Sequence, residues 1–288
     1  MKFLKTMQKR IILISIYFIA FTFAAQIFAN PGGDDDFNKG ITVSPSHVNF
    51  NVDPGNMAVK KIKVSNYTDK TQKFNVVYND FDISKDGKSS FLEPGTSDFS
   101  LSRFINISPT FIELGPGANQ EVTLTVQVPS DPEMARAAWG VIVVEQVEEK
   151  KALDPGNETG KTIAFGITPT FAFGVWVYQN PSKVEDMHVD ITNFMYEKQN
   201  ENQFMMLKVE NKGNGISFCK AYVEITNLDT GEQFTLGGKR YTILPGYERT
   251  FVFEPEARLQ KGNYSAVGVL DYNSDEELVA AELEFKIE

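Results

Sequence analysis

Cysteine and histidine are nearly missing from this 288-residue chain, which holds one Cys and two His. A single cysteine cannot close an internal disulfide, so the chain must hold together through its apolar cores. His47 and His188 alone cannot build a His-rich metal site, and no Ser-His-Asp constellation can be assembled around them. Amphipathic helices are lacking too, and without them a Gly-rich loop cannot deliver a phosphate to a helix N-terminus. The run Asp34-Asp35-Asp36 lacks the spacing of a calcium loop and, next to Gly32-Gly33, reads as solvated linker. No cofactor and no metal are therefore expected, and an enzyme is the poorest of the available classes. Cys219, inside the alternating segment ISFCKAYVEI, is expected to be a small buried apolar residue.

Positive charge is in short supply. The chain carries 28 basic against 38 acidic residues, a net charge of −10. So acidic a surface repels phosphate backbones and anionic lipid, which excludes nucleic acid as a partner, and nothing points to a small-molecule substrate. Four of the basic residues, Lys2, Lys5, Lys9 and Arg10, precede an apolar run from Ile11 to Ala25 that only Ser15 and Thr22 interrupt. With the small residue Ala29 before Pro-Gly-Gly-Asp-Asp-Asp, residues 1–29 read as a secretory signal peptide and 30–40 as a flexible linker. The expected location is periplasmic or secreted. An uncleaved anchor is the alternative, and membrane contact would then be limited to this segment.

From Ile41 onward short alternating segments are divided by Pro-Gly, Asp-Gly and Asn-Gly turns, the pattern of an all-β chain. Seven segments run from ITVSPSHVNFNV to the strand ending at Gln179, and seven more from MHVDITNFMYE to LVAAELEFKIE. Two immunoglobulin-like β-sandwich domains in tandem are expected, at 41–181 and 182–288. The sets also share detail. Lys63-Val64-Ser65-Asn66 matches Lys208-Val209-Glu210-Asn211, and Gly115-Pro116-Gly117 matches Leu244-Pro245-Gly246.

The stretch KTIAFGITPTFAFGVWVYQNP departs from this regular rhythm. Every odd position from Ile163 to Val177 is apolar, including Ile163, Phe165, Ile167, Pro169, Phe171, Phe173 and Val175. Strict period two marks a β-strand with one demanding face. Eight such positions extend over roughly 45 Å, longer than a small sandwich covers, and Pro169 confines the strand to an edge or a bulge. A polar connection, VEEKKALDPGNETG, directly precedes it.

The segments ITVSPSHVNF, SPTFIELGPGANQEVTLTV, PSDPEMARAAWGVIVVE and VYQNP follow the order of features in the periplasmic pilus-assembly chaperones, the PapD-like superfamily. The resemblance covers about residues 41–181. It implies that the last strand of the first domain is lent to a pilus subunit, with Ile163, Phe165 and Ile167 as donated side chains and Pro169 at the end of the donated part. Phe171, Phe173, Val175 and Val177 would stay in the domain core. The family's cleft anchors, an Arg on the first strand and a Lys on the last, fall here on His47 and on Val175 or Trp176, so the chain resembles a divergent member without that pair. The sequence PGNMAVKKIKVSNYTDKTQKFNVVYNDF, with FINISPTFIELGPGANQEVTLTVQVP, also resembles surface proteins that bind WxL-type wall proteins. The expected function is an exported chaperone-like factor that binds protein subunits of the envelope or of a surface filament by strand donation. The alternative is a structural or adhesive envelope protein without a client.

Overall fold

The structure, a computed structural model, describes residues 40–147, 171–200, 202–255, 259–272 and 278–288. Apart from a 3-10 turn at Pro132–Met134, every regular element among them is a strand, and the strands make two β-sandwiches in tandem. In the N-terminal sandwich one sheet runs in the order β1 (Ile41–Ser44), β3 (Met57–Asn66), β8 (Asn119–Gln127), β6 (Ile105–Ser108). The other runs β2 (His47–Phe50), β10 (Ala172–Gln179), β9 (Ala138–Gln146), β4 (Gln72–Ile83), β5 (Ser89–Leu92), with β7 (Phe111–Leu114) also paired to β4. The C-terminal sandwich faces β11 (Val189–Gln199), β12 (Asn202–Asn211) and β15 (Glu248–Phe253) with β14 (Gln233–Ile243), β13 (Ser217–Asn227), β16 (Gly262–Asp271) and β17 (Val279–Ile287). Every named pair is antiparallel except β2 with β10.

Alternation does what period two requires. Val122, Leu124 and Val126 of β8 are fully buried, while the residues between them face outward. The run ITVSPSHVNF behaves differently from its sequence pattern: it is two strands in opposite sheets, and the chain changes sheet at the cis bond Ser44-Pro45. The same crossing recurs at the cis bond Ser108-Pro109, between β6 and β7.

The repeated signature has a physical basis. Asn66 is fully buried at the end of β3, and its Nδ2 donates to the carbonyls of Lys70, Leu114 and Gly115 at 2.7, 2.9 and 3.1 Å. Its Oδ1 accepts from the Thr68 amide, and its backbone carbonyl accepts from Gly117. Asn211 repeats the arrangement at the end of β12, with Nδ2 donating to Gly215 and Ile243 carbonyls, both at 2.8 Å, and its carbonyl accepting from Gly246. Gly117 and Gly246 adopt φ of +70° and +78°, where a side chain is disfavoured. Each asparagine thus ties a strand end to the turn of a distant strand, so the buried carbonyls there are not left unpaired.

Cys219 sits in the second core, 1% exposed. Burial, with the Asp271 charge as a smaller contribution, pushes its thiol up to about 12 from 9.0. The neutral thiol therefore contributes full stability at neutral pH, and this is lost as pH rises from 9.0 toward about 12. The folded protein should not react with a thiol reagent at pH 8, while protein unfolded in guanidinium should react in full. Fast labelling of the folded form would show that the thiol is accessible.

Candidate functional site

The two sandwiches form one compact unit over residues 41–288. They meet across a second apolar layer in which Phe81, Trp139, Val141, Val143 and Tyr178 pack with Ile216 and Leu244 of the C-terminal sandwich. Strand β9 is consequently buried on both faces: Ala138, Ile142 and Val144 point into the first core, and Trp139, Val141 and Val143 toward the other sandwich. Trp139 stacks on Phe99 at 4.3 Å and meets Tyr247 edge-on at 6.2 Å. Polar contacts complete the junction. Asn180 Nδ2 donates to the Ile216 carbonyl and its Oδ1 accepts from the Ile216 amide, at 2.9 and 3.0 Å. Tyr247 donates to Asp82 at 2.7 Å, a bond that helps burial hold its phenol up to about 12.

Strand β10 borders this junction. Its odd residues Phe173, Val175 and Val177 face the first core, and Trp176 and Tyr178 face the second sandwich. Hydrogen bonding alternates at right angles to the side chains. Phe171 accepts from the Gln146 amide of β9, whereas the Trp176 amide donates to Ser46 on the β2 side. Odd residues therefore bond to β9, and even residues turn their N–H and C=O to the other edge. That edge is covered only from Trp176 to Gln179, where β2 pairs with β10. At Ala172 and Gly174 no strand among the described residues pairs with it, because the chain upstream of β2 has crossed to the other sheet as β1. Both residues are exposed.

Phe171, expected in the core, is 60% exposed, because inward packing on this strand begins at half-buried Phe173 and is complete only at Val175. Val175, expected as one of two positions for a cleft anchor, is 1% exposed in that core, and the period of two puts Trp176 on the cleft face instead. Trp176 lies directly beside exposed His47 in the register and packs against Phe81 at 4.8 Å and Phe91 at 6.0 Å. His188 lies on the surface just before β11, its Nε2 2.7 Å from Asp190. Ile163, Phe165, Ile167, Pro169 and the polar connection 148–160 lie outside the described residues.

Beside Trp176 a cleft of about 250 Å³ opens between the sandwiches, lined by Phe81, Tyr178, Gly87, Arg240, Tyr241 and Arg249 among others. Its arginines escaped sequence reasoning, although RTFVF carried a signal: Arg249 shares the inward register of Phe251 and Phe253. Among the described residues no cluster of three or more His, Cys, Asp or Glu could hold a metal, and no helix is long and apolar enough to cross a membrane.

Fold and edge together define a two-sandwich, all-β protein with an incompletely paired strand beside its inter-sandwich cleft. No family model and no curated protein matches the chain. Solved structures similar to it include fimbrial chaperones. The class 5 fimbriae chaperone CfaA is 12% identical, with 86% of this chain and 100% of that chain covered at a TM-score of 0.43. The E. coli chaperone DraB is 14% identical, with 85% and 98% covered at 0.41. A chain from the complex of Salmonella enterica SafA pilin with the SafB chaperone is 14% identical, with 85% and 97% covered at 0.39.

Proposed function

We propose that this protein is an exported chaperone-like factor that binds a protein subunit of the envelope or of a surface filament by strand addition along β10. The observation that carries the reading is the open edge at Ala172 and Gly174, whose backbone groups point away from β9 with no partner strand among the described residues. An unpaired edge is a ready template for another chain, and proteins normally blunt it with charge or cover. Here exposed Phe171 flanks it instead. In strand addition the main-chain bonds supply affinity, and alternate side chains such as those at 163, 165 and 167 supply specificity. The signal-like segment 1–29 supports export.

Gly174→Pro tests this. The substitution removes the outward N–H on an edge strand, where proline is tolerated. A Cβ at 174 meets only the Val141 side chain, at 3.4 Å. Tagged protein purified from its native envelope should bring down a roughly stoichiometric β-rich partner. The Gly174→Pro protein should melt within a few degrees of the parent and lose that partner. If the parent comes alone, or the variant keeps the partner, the edge is not the binding element and the protein is a structural envelope module.

A further inference from the structure

The first sandwich carries a pocket that shares no residue with the open strand edge or with the inter-sandwich cleft. It measures about 490 Å³ and opens between two connections, the one from β5 to β6 and the one from β8 to β9. Both connections are held in place by hydrogen bonds. In the first, fully buried Asp80 accepts from the Ser97 amide at 3.0 Å, and the Tyr78 hydroxyl accepts from the Leu101 amide at 2.8 Å, which fixes the backbone on either side of Asp98. In the second, Asp131 caps the turn Pro132–Met134 by accepting from the Glu133 amide through Oδ1, and its Oδ2 has no partner among the described residues. Four charges line the pocket: Asp98 and Asp131, Arg103 and Arg136. All four are exposed, and no ion pair joins either arginine to a carboxylate among the described residues. Guanidinium donors and carboxylate acceptors therefore stand separately around one void, beside the apolar surfaces of Phe104, Pro129 and Met134. Arginine only donates and a carboxylate only accepts, so a ligand that satisfies this lining must both accept and donate at several places.

We propose that this pocket binds a neutral carbohydrate of disaccharide size. Each sugar hydroxyl both donates and accepts, so neighbouring hydroxyls give to Asp98 or Asp131 and receive from Arg103 or Arg136, while the C–H faces of the rings lie on Phe104, Pro129 and Met134. The volume falls within the roughly 300 to 1,000 Å³ of small-molecule sites, which combine apolar walls with a few placed polar groups. The lining charges cancel, two against two, so the pocket offers no net attraction to an anion in a chain of net charge −10. A small zwitterion would engage one arginine and one carboxylate and leave the rest of the void unfilled. The site uses no residue of β10 and does not depend on strand addition there.

The test applies the full chain to an array of neutral, acidic and aminated oligosaccharides and titrates the best neutral one by calorimetry. At least one neutral disaccharide or trisaccharide should bind saturably, with an affinity that changes by less than about twofold between low and high salt, because no net charge is neutralised. Asp98→Ala and Arg103→Ala should each weaken it roughly tenfold, the loss expected for one hydrogen bond to a charged group, and Arg136→Ala should weaken it severalfold. These side chains are exposed, so the thermal midpoint of each variant should stay within a few degrees of the parent. Gly174→Pro should leave sugar binding unchanged, which keeps a failure of this site distinguishable from a failure of the strand edge. Inorganic phosphate and glycylglycine serve as the anionic and zwitterionic competitors. No saturable binding of any neutral oligosaccharide, unaltered binding in all three alanine variants, or displacement of the sugar by either competitor at equal concentration would each overturn the assignment.

Discussion

Asn66→Leu is expected to destabilise the N-terminal sandwich by about 3 to 5 kcal/mol, since each buried polar group left unpaired costs about 1 to 3 kcal/mol. Leucine shares the branched skeleton of asparagine, with bulkier methyls, but offers nothing to the carbonyls of Lys70, Leu114 and Gly115 or to the Thr68 amide. Asn211→Leu should do the same to the C-terminal sandwich, where the Gly215 and Ile243 carbonyls lose the Asn211 donor and the Gly213 amide keeps only the His188 carbonyl. Urea denaturation of each single variant and of the double variant measures this. The two sites lie in separate cores, so the losses should add. A loss below about 1 kcal/mol at either position would mean that solvent replaces the amide there, and that the repeated Asn and Gly signature reflects turn geometry alone.

The second large effect is expected at Gly140. A Cβ on this residue of β9 would come within 2.3 Å of the Tyr78 ring and hydroxyl. Tyr78 is a hub: its hydroxyl donates to Asp80 at 2.7 Å and accepts from the Leu101 amide at 2.8 Å. Asp80 is fully buried and otherwise holds the Ser97 amide. Burial raises the Tyr78 phenol well above its ordinary range, so this hydroxyl stays protonated and able to donate. Gly140→Ala must push the ring off this network, adding overpacking to a buried carboxylate left with only the Ser97 amide, for a combined loss of about 2 to 4 kcal/mol. In a Tyr78→Leu background the same substitution should cost much less, and a thermodynamic cycle over the four proteins reads the coupling directly. Equal cost in both backgrounds would show that the glycine is needed for backbone reasons rather than for the tyrosine.

The all-β character, the two sets of strands and the paired signature were legible because they are local. Segments such as MAVKKIKVSN and NQFMMLKVEN coincide with β3 and β12, and the Asp86-Gly87 turn closes the hairpin of β4 and β5, with Gly87 at φ +82°. The short strands β5 and β6 were not separated from their surroundings, since four residues carry too little alternation to stand out. Part of the site was legible too. The resemblance placed Val175 and Val177 in the core, where both are buried, and put the anchor position on Val175 or Trp176, but it carried the core too far out at exposed Phe171.

Sequence by itself determined that this chain folds as strands, where most of them lie, that a disulfide plays no part, and that its surface is acidic. These follow from residue identity and spacing along one segment. Which face of β9 meets which neighbour, where β2 stops covering β10, and that Arg249 lands beside Arg240, Trp176 and Gly87 were decided only by tertiary structure. Alternation says that a strand has two faces and two edges, whereas their neighbours are set by pairings between residues more than a hundred positions apart, such as His47 with Trp176. The open edge and the arginine cleft are products of those pairings.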